Sequence, residues 1–171
     1  LQVKIYAEEG SHVELTMPQM LGTEVLDLTD IGGLLEKGAS VELVKMELGA
    51  EKVYTGALMT LKGDGSSFTA HIGYQGFTGQ HLDMNYVARH LGRKTESLME
   101  SNGVLNGNAF KLFRGSIDFV KGCAGSVGNE KEDVLLLGDD VVNQTIPLIL
   151  CAEEDVEGNH GASIGELDEK T

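Results

Sequence analysis

Tryptophan is missing altogether, proline and cysteine occur twice each, and aromatic residues make up only 5% of the chain. Each scarcity excludes something. Two thiols, Cys123 and Cys151, cannot form the disulfide framework of a secreted scaffold in a chain of 171 residues. Basic residues are also few: 13 Lys and Arg stand against 27 Asp and Glu, for a net charge of −14. Nucleic acid, anionic membranes and anionic polysaccharides all require clustered positive charge, so none is an expected partner. No run approaches the ~20 apolar residues of a membrane-spanning helix, and no charged-then-apolar leader opens the chain. A start at Leu1 rather than methionine leaves a removed targeting segment open. The expectation is a soluble, cytoplasmic protein with reduced thiols.

Glycine, by contrast, is abundant at 23 residues, so the chain turns with glycine rather than with proline. Between the glycines lie short alternating runs. Val3, Ile5 and Ala7 alternate with polar residues, and Val13, Leu15 and Met17 repeat the pattern after Glu9-Gly10-Ser11. Val25 to Thr29, Ser40 to Leu48 and Lys52 to Leu61 follow, the last closed by Lys62-Gly63-Asp64-Gly65. Phe68, Ala70, Ile72 and Tyr74 alternate again, as do Leu82, Met84, Tyr86 and Ala88. A period of two is that of a strand with one buried face. Phe110 to Val120 reads as two strands interrupted at Arg114-Gly115, and Val134 to Leu137 as a run buried on both sides. Two short helices are expected, Ile31 to Lys37 behind a Thr29-Asp30 cap and Thr95 to Glu100.

No linker or composition shift divides the chain, so residues 1–171 read as one all-β domain. A sandwich or barrel favours tight hairpins, yet Asn-Gly occurs only at Asn102-Gly103 and Asn106-Gly107. A parallel β-helix bends on glycine without hairpins and is the preferred architecture. At ~25 residues per coil it would have about seven coils stacked ~4.8 Å apart, a rod of ~30 Å.

Chemistry concentrates near the end of the sequence. An apolar strand, Ile146 to Ala152, leads into Glu153-Glu154-Asp155, a polar turn Glu157-Gly158-Asn159, and then His160. An imidazole beside small residues is an accessible ligand for iron or zinc, although on chemistry alone an idle turn histidine is the stronger reading. Cys151 reads as a small buried core residue. Cys123, between glycines and near Lys121, reads as passive because no histidine is adjacent. The two cysteines are not spaced as a metal motif. Glu153, Glu154, Asp155, Asp168 and Glu169 could supply a carboxylate pair for hydrolysis of neutral carbohydrate, the competing enzyme reading. A degenerate interaction module is the third.

The segment Asp155 to Glu169, with its core His160-Gly161-Ala162-Ser163, resembles the carboxy-terminal signature of the SufB/SufD family. Leu135-Leu136-Leu137-Gly138-Asp139-Asp140 and Ile146 to Leu150 fall where that family has its last coils, and Gly115 to Val120 resembles its typical upstream strand. The resemblance implies a right-handed parallel β-helix that acts as a scaffold in SUF iron–sulfur cluster assembly, not as an enzyme. It implies pairing of a SufB-like with a SufD-like subunit, recruitment of a SufC-like ATPase, and transient contact with iron or a nascent iron–sulfur cluster. A homodimer is the other arrangement it allows. The SufD-type histidine carries over to His160, as a ligand to iron or near the cluster. The SufB-type cysteine falls at Val141, which cannot ligate metal or receive sulfur, so the chain is SufD-like there. Two departures stand beside this: Gly158 occupies a place where relatives often have cysteine, and the family's flanking helical regions are not among these residues.

Overall fold

A computed structural model describes residues 1–166 of the chain. Among them are twelve strands and no helix: β1 (Gln2–Ala7), β2 (His12–Gln19), β3 (Leu26–Leu35), β4 (Ser40–Glu47), β5 (Lys52–Leu61), β6 (Ser67–Gly76), β7 (His81–His90), β8 (Glu96–Asn106), β9 (Phe110–Phe119), β10 (Ser126–Leu137), β11 (Val142–Cys151) and β12 (Val156–Glu166). Odd strands form one six-stranded parallel sheet in the order β1-β3-β5-β7-β9-β11, and even strands form the other, β12-β10-β8-β6-β4-β2. The chain therefore winds as a solenoid of six coils, each coil giving one strand to each sheet. The parallel β-helix expectation holds. The coils are longer and fewer than expected, because in-register partners lie 26 residues apart (Leu26 and Lys52) to 32 residues apart (Phe110 and Val142).

Glycine sets the bends. At the turn from the odd to the even sheet, Gly10, Gly38, Gly65 and Gly125 all have left-handed φ, between 63° and 77°. Each donates its N–H to a carbonyl one coil on: Gly10 to Lys37, Gly38 to Asp64, Gly65 to Arg93 and Gly125 to Asp155. The fifth member of this column is Lys94, at φ 53°, donating to Ala124. A residue with a Cβ resists that conformation, so the column explains why glycine outnumbers other turn residues. The two prolines, Pro18 and Pro147, lie in β2 and β11. Each of those strands is at the end of its sheet, where a missing N–H leaves no ladder bond unmade.

The core is the narrow space between the sheets. Inward side chains stack in rows along the axis, one per coil, about 4.8 Å apart. One row runs Ile31, Ala57, Tyr86, Gly115, so the Tyr86 ring lies between a methyl group and a glycine. In another, Gly103 sits beside Tyr74, and a Cβ added at Gly103 would lie 1.9 Å from the tyrosine ring. Phe68, Phe113 and Phe119 are fully buried, each worth roughly 1.5–3 kcal/mol relative to exposure.

Four local expectations fail. Ile31 to Leu35 and Thr95 to Glu100 are not helical: the first lies in β3 and most of the second in β8. Their inward residues, Ile31, Leu35, Ser97 and Met99, alternate and fit the rows. Phe110 to Phe119 is one strand, because Arg114 points outward and Gly115 inward without breaking the ladder. Val134 to Leu137 is buried on one side only, with Val134 inward.

Gly103→Ala should lower stability by about 1–3 kcal/mol, since the Tyr74 ring must leave its slot. Gly32→Ala, where an added Cβ meets nothing within 4 Å, should not. Urea unfolding of both variants checks this; equal midpoints would contradict the row-packing account.

Candidate functional site

The row that ends at His160 begins as ordinary core. Leu15, Leu43, Ala70 and Met99 occupy its first four places, in register across β2, β4, β6 and β8. The fifth is Glu130 in β10 and the sixth is His160 in β12. Hydrophobic alternation thus carries a carboxylate and an imidazole into positions that apolar residues fill elsewhere. His160 is not in a turn, as its glycine-rich surroundings suggested; it lies within β12, and Glu157-Gly158-Asn159 is strand as well. Gly158 faces inward, where an added Cβ would meet Phe119 and Ile149. His160, two residues on, therefore belongs to the inward face too. It is nevertheless exposed, because β12 is the end strand of its sheet.

Glu130 is 5% exposed and packs over Gly115, and its Oε1 has no hydrogen-bond partner. Burial raises its pKa to about 7, the negative charge of Glu132 adds to the rise, and Lys111 opposes it. A buried carboxylate without partners is costly to ionise. Directly above it in the ladder is the His160 side chain.

Beside this row lies a buried polar network. Lys111 Nζ donates to Glu132 Oε1 at 2.7 Å, to the Gln144 carbonyl at 3.2 Å and to Thr145 Oγ1 at 3.0 Å. Tyr74 donates to the same carboxylate at 2.8 Å, and Thr145 bonds its other oxygen. Burial pulls Lys111 below the usual ammonium range, with Glu132 acting in the opposite direction. A second buried pair, Lys45 and Glu47 at 2.7 Å, sits in the even sheet nearer the first coil. Neither pair was singled out in the sequence. The only signal was a lysine and a glutamate falling on inward places of an alternating run.

The thiols reverse their expected roles in part. Cys123 is buried, and burial raises its pKa, so it is inert core as expected. Cys151 is exposed, not buried: it ends β11, and its S–H reaches the Glu153 carbonyl at 3.0 Å. It follows Phe119 in its row but has no further coil above it among the described residues. Cys151 and His160 are not brought together. Cys151 closes β11 beside the turn into β12, whereas His160 lies mid-strand, in register with Glu130. Val141 is at the other end of the coil, just before β11 and after the turn that follows Leu137.

The acidic candidates are dispersed. Glu153 accepts the N–H groups of Gly122 at 2.9 Å and Glu154 at 3.0 Å, which hold its carboxyl below the usual range. It ties the last turn to the coil before it, a structural use. Asp168 and Glu169 lie outside the described residues. A concavity of about 760 Å³ lies on the outer face of the even sheet, lined by Met46, His71, Val104, Leu135 and Ser163 among others, and His160 is not part of it.

The family model described as SUF system FeS cluster assembly, SufBD core domain, matches residues 2–171. An iron–sulfur cluster assembly SufBD family protein of Mycobacterium leprae is 26% identical, over 98% of this chain and 19% of that protein. Iron–sulfur cluster assembly protein SufB of Bacillus subtilis is 24% identical, over 98% of this chain and 36% of that protein. A SufBD family protein of Mycobacterium tuberculosis is 27% identical, over 98% of this chain and 20% of that protein. The chain thus spans about a fifth to a third of the length of these relatives.

The pH dependence of stability tests the buried carboxylate. Folded Glu130 keeps its proton up to about pH 7, whereas an unperturbed glutamate loses it near 4.5. The folded state binds more protons in that window, so stability should fall as pH rises through it, by up to ~3 kcal/mol. Glu130→Gln should flatten this loss. His90 acts with opposite sign: buried against Thr95 and Ser97, its pKa is lowered to about 4. It should cost stability as pH drops from 6.5 towards 4 in both proteins. Unfolding free energies between pH 4 and 8 check this; the same slope above pH 5 in both would refute the assignment.

Proposed function

The chain belongs to the SufBD core-domain family of the SUF iron–sulfur cluster assembly system, and on that premise we propose that it is a SufD-like scaffold component of iron–sulfur cluster assembly, with His160 as its iron- or cluster-facing ligand. The observation that carries this reading is the family match over residues 2–171. It is supported by the position of His160, an exposed imidazole on the inward face of the end strand.

Iron or a nascent cluster is cargo in this reading, not a resident cofactor. A neutral imidazole offers one nitrogen to iron while its other N–H seeks an acceptor, which fixes the tautomer. Glu130, next to His160 in the ladder and with Oε1 unpartnered, is suited to accept that N–H. Sulfur must come from elsewhere, because the family's cysteine position holds Val141 and Cys151 is at the far end of β11 from it. A SufB-like subunit would supply the thiolate, docking against β11 and β12, whose outer edges have no neighbouring strand among the described residues. A second copy of this chain is the other docking partner. A SufC-like ATPase would supply any nucleotide hydrolysis; the chain itself performs no catalytic step.

His160→Ala should leave the fold intact, since the side chain is exposed, and reduce iron–sulfur loading of the assembled complex at least tenfold. Loading is read from visible absorbance and iron content after reconstitution with a SufB-like partner. Unchanged loading would sink the role of His160.

A further inference from the structure

We propose that the outer face of the first two coils carries a divalent transition-metal site formed by His12, Glu14 and Glu42, separate from His160. The placement follows from the ladder. His12 and Glu14 are two residues apart in β2 and share its outward face, and the register puts Ser40 beside His12 and Glu42 beside Glu14. One donor atom from each of the three, an imidazole nitrogen and two carboxylate oxygens, lies within 4.8 Å of the other two.

Three features distinguish this cluster from an ordinary acidic patch. The first is uncompensated charge. Glu14 and Glu42 are in-register neighbours on adjacent parallel strands, an unfavourable place for two like charges. Among the described residues neither pairs with Lys or Arg; the sole ion-pair partner is His12, to Glu14. The second is the orientation of the imidazole. Ser40 Oγ lies 2.7 Å from Nδ1, and Glu14 Oε1 lies 3.0 Å from Nε2. Without metal, Nε2–H can donate to Glu14 Oε1; in the tautomer that donates Nδ1–H to the serine, the Nε2 lone pair is free for a cation held by the same carboxylate. An outer partner on one ring nitrogen that aims the other at a metal is the usual support of a metal-binding histidine. The third is scale. With metal–ligand bonds of about 2.0–2.1 Å, neighbouring ligand atoms are about 3.0–3.4 Å apart, which the His12–Glu14 separation already meets.

The donor set selects the ion. One imidazole with two carboxylates suits Zn²⁺, Fe²⁺ or Mn²⁺, not thiophilic Cu⁺ and not Ca²⁺, which takes oxygen ligands. His12 and Glu14 side chains are 54% and 71% exposed, so water completes the coordination and the metal exchanges freely. The site is remote from His160: β2 and β12 are opposite ends of one sheet, about 24 Å apart at ~4.8 Å per strand.

Equilibrium dialysis of the chain against Zn²⁺ tests the proposal, in a His160→Ala, Cys151→Ser, His71→Ala background that removes the exposed thiol, the last-coil imidazole and the half-exposed imidazole beside Glu100. One equivalent of zinc should bind there. Adding His12→Ala or Glu42→Gln should weaken it at least tenfold, and Ser40→Ala roughly tenfold. The thermal midpoint in chelator should stay unchanged, as these side chains lie on the outer face. Wild-type zinc binding should also shift the His12 ring nitrogens in NMR. No zinc binding by the background protein at millimolar metal, or equal affinity with His12→Ala, would overturn the proposal. Because the background lacks His160, failure here leaves the cluster-loading reading untouched, and the converse holds.

Discussion

Each inward side chain of the inner coils shares its slot with the residue one coil above and one coil below, at a spacing fixed by backbone hydrogen bonds. That constraint governs the whole interior. Several of the bulkiest residues have small neighbours in their row: Tyr86 between Ala57 and Gly115, Tyr74 beside Gly103, Met59 against Gly33. The two buried lysines are admitted in company. Lys45 finds Glu47 two residues along its own strand, and Lys111 finds Glu132 from the facing sheet. Because each coil touches mainly its neighbours, stability adds up coil by coil, and the residues of the last coil depend on one neighbour rather than two.

The same constraint explains where reactive groups become available. A row delivers a side chain to a defined point, and the next coil normally covers it. In the sixth coil no further strand covers the inward groups among the described residues, so His160 and Cys151 are held by the ladder and yet exposed. The carboxylate of Glu130 sits one place deeper in the same row, dry and unpaired. Groups held by the ladder are thus left exposed where stacking stops among the described residues.

The alternation that makes the rows was legible in the sequence, and with it the strands, the glycine bends and the parallel β-helix. What was not legible depends on glycine having two uses here. Gly10, Gly38, Gly65 and Gly125 turn the chain, whereas Gly33, Gly103, Gly115 and Gly158 lie inside strands and make room for neighbours in the row. Locally the two uses look alike. Ile31 to Leu35, Arg114-Gly115 and the glycines around His160 therefore read as helix, strand break and turn, and all three are strand. The partners that decide the matter are about thirty residues away, beyond any local window. Cys151 misled for the related reason that its apolar strand predicts burial only if another coil follows. His160 itself was found through the motif around it, while Glu130 needed the register.

The polar network near the last coil then has a role that its energetics alone would not justify. A buried ion pair gains little over well-packed apolar residues, because desolvation offsets the attraction. Lys111, however, spends two of its three donors on the Gln144 carbonyl and Thr145 Oγ1, both in β11, and Glu132 takes up Thr145 from the even sheet. Glu153 adds a tie from the last turn to Gly122. These directional bonds help set the position of a coil that has no strand stacked on its outer side among the described residues. An apolar replacement could match the energy but would remove the side-chain bonds that tie β11 to β9 and β10. The placement of His160 over Glu130 rests on that directionality, so the charged interior is best understood as what orients the final rung.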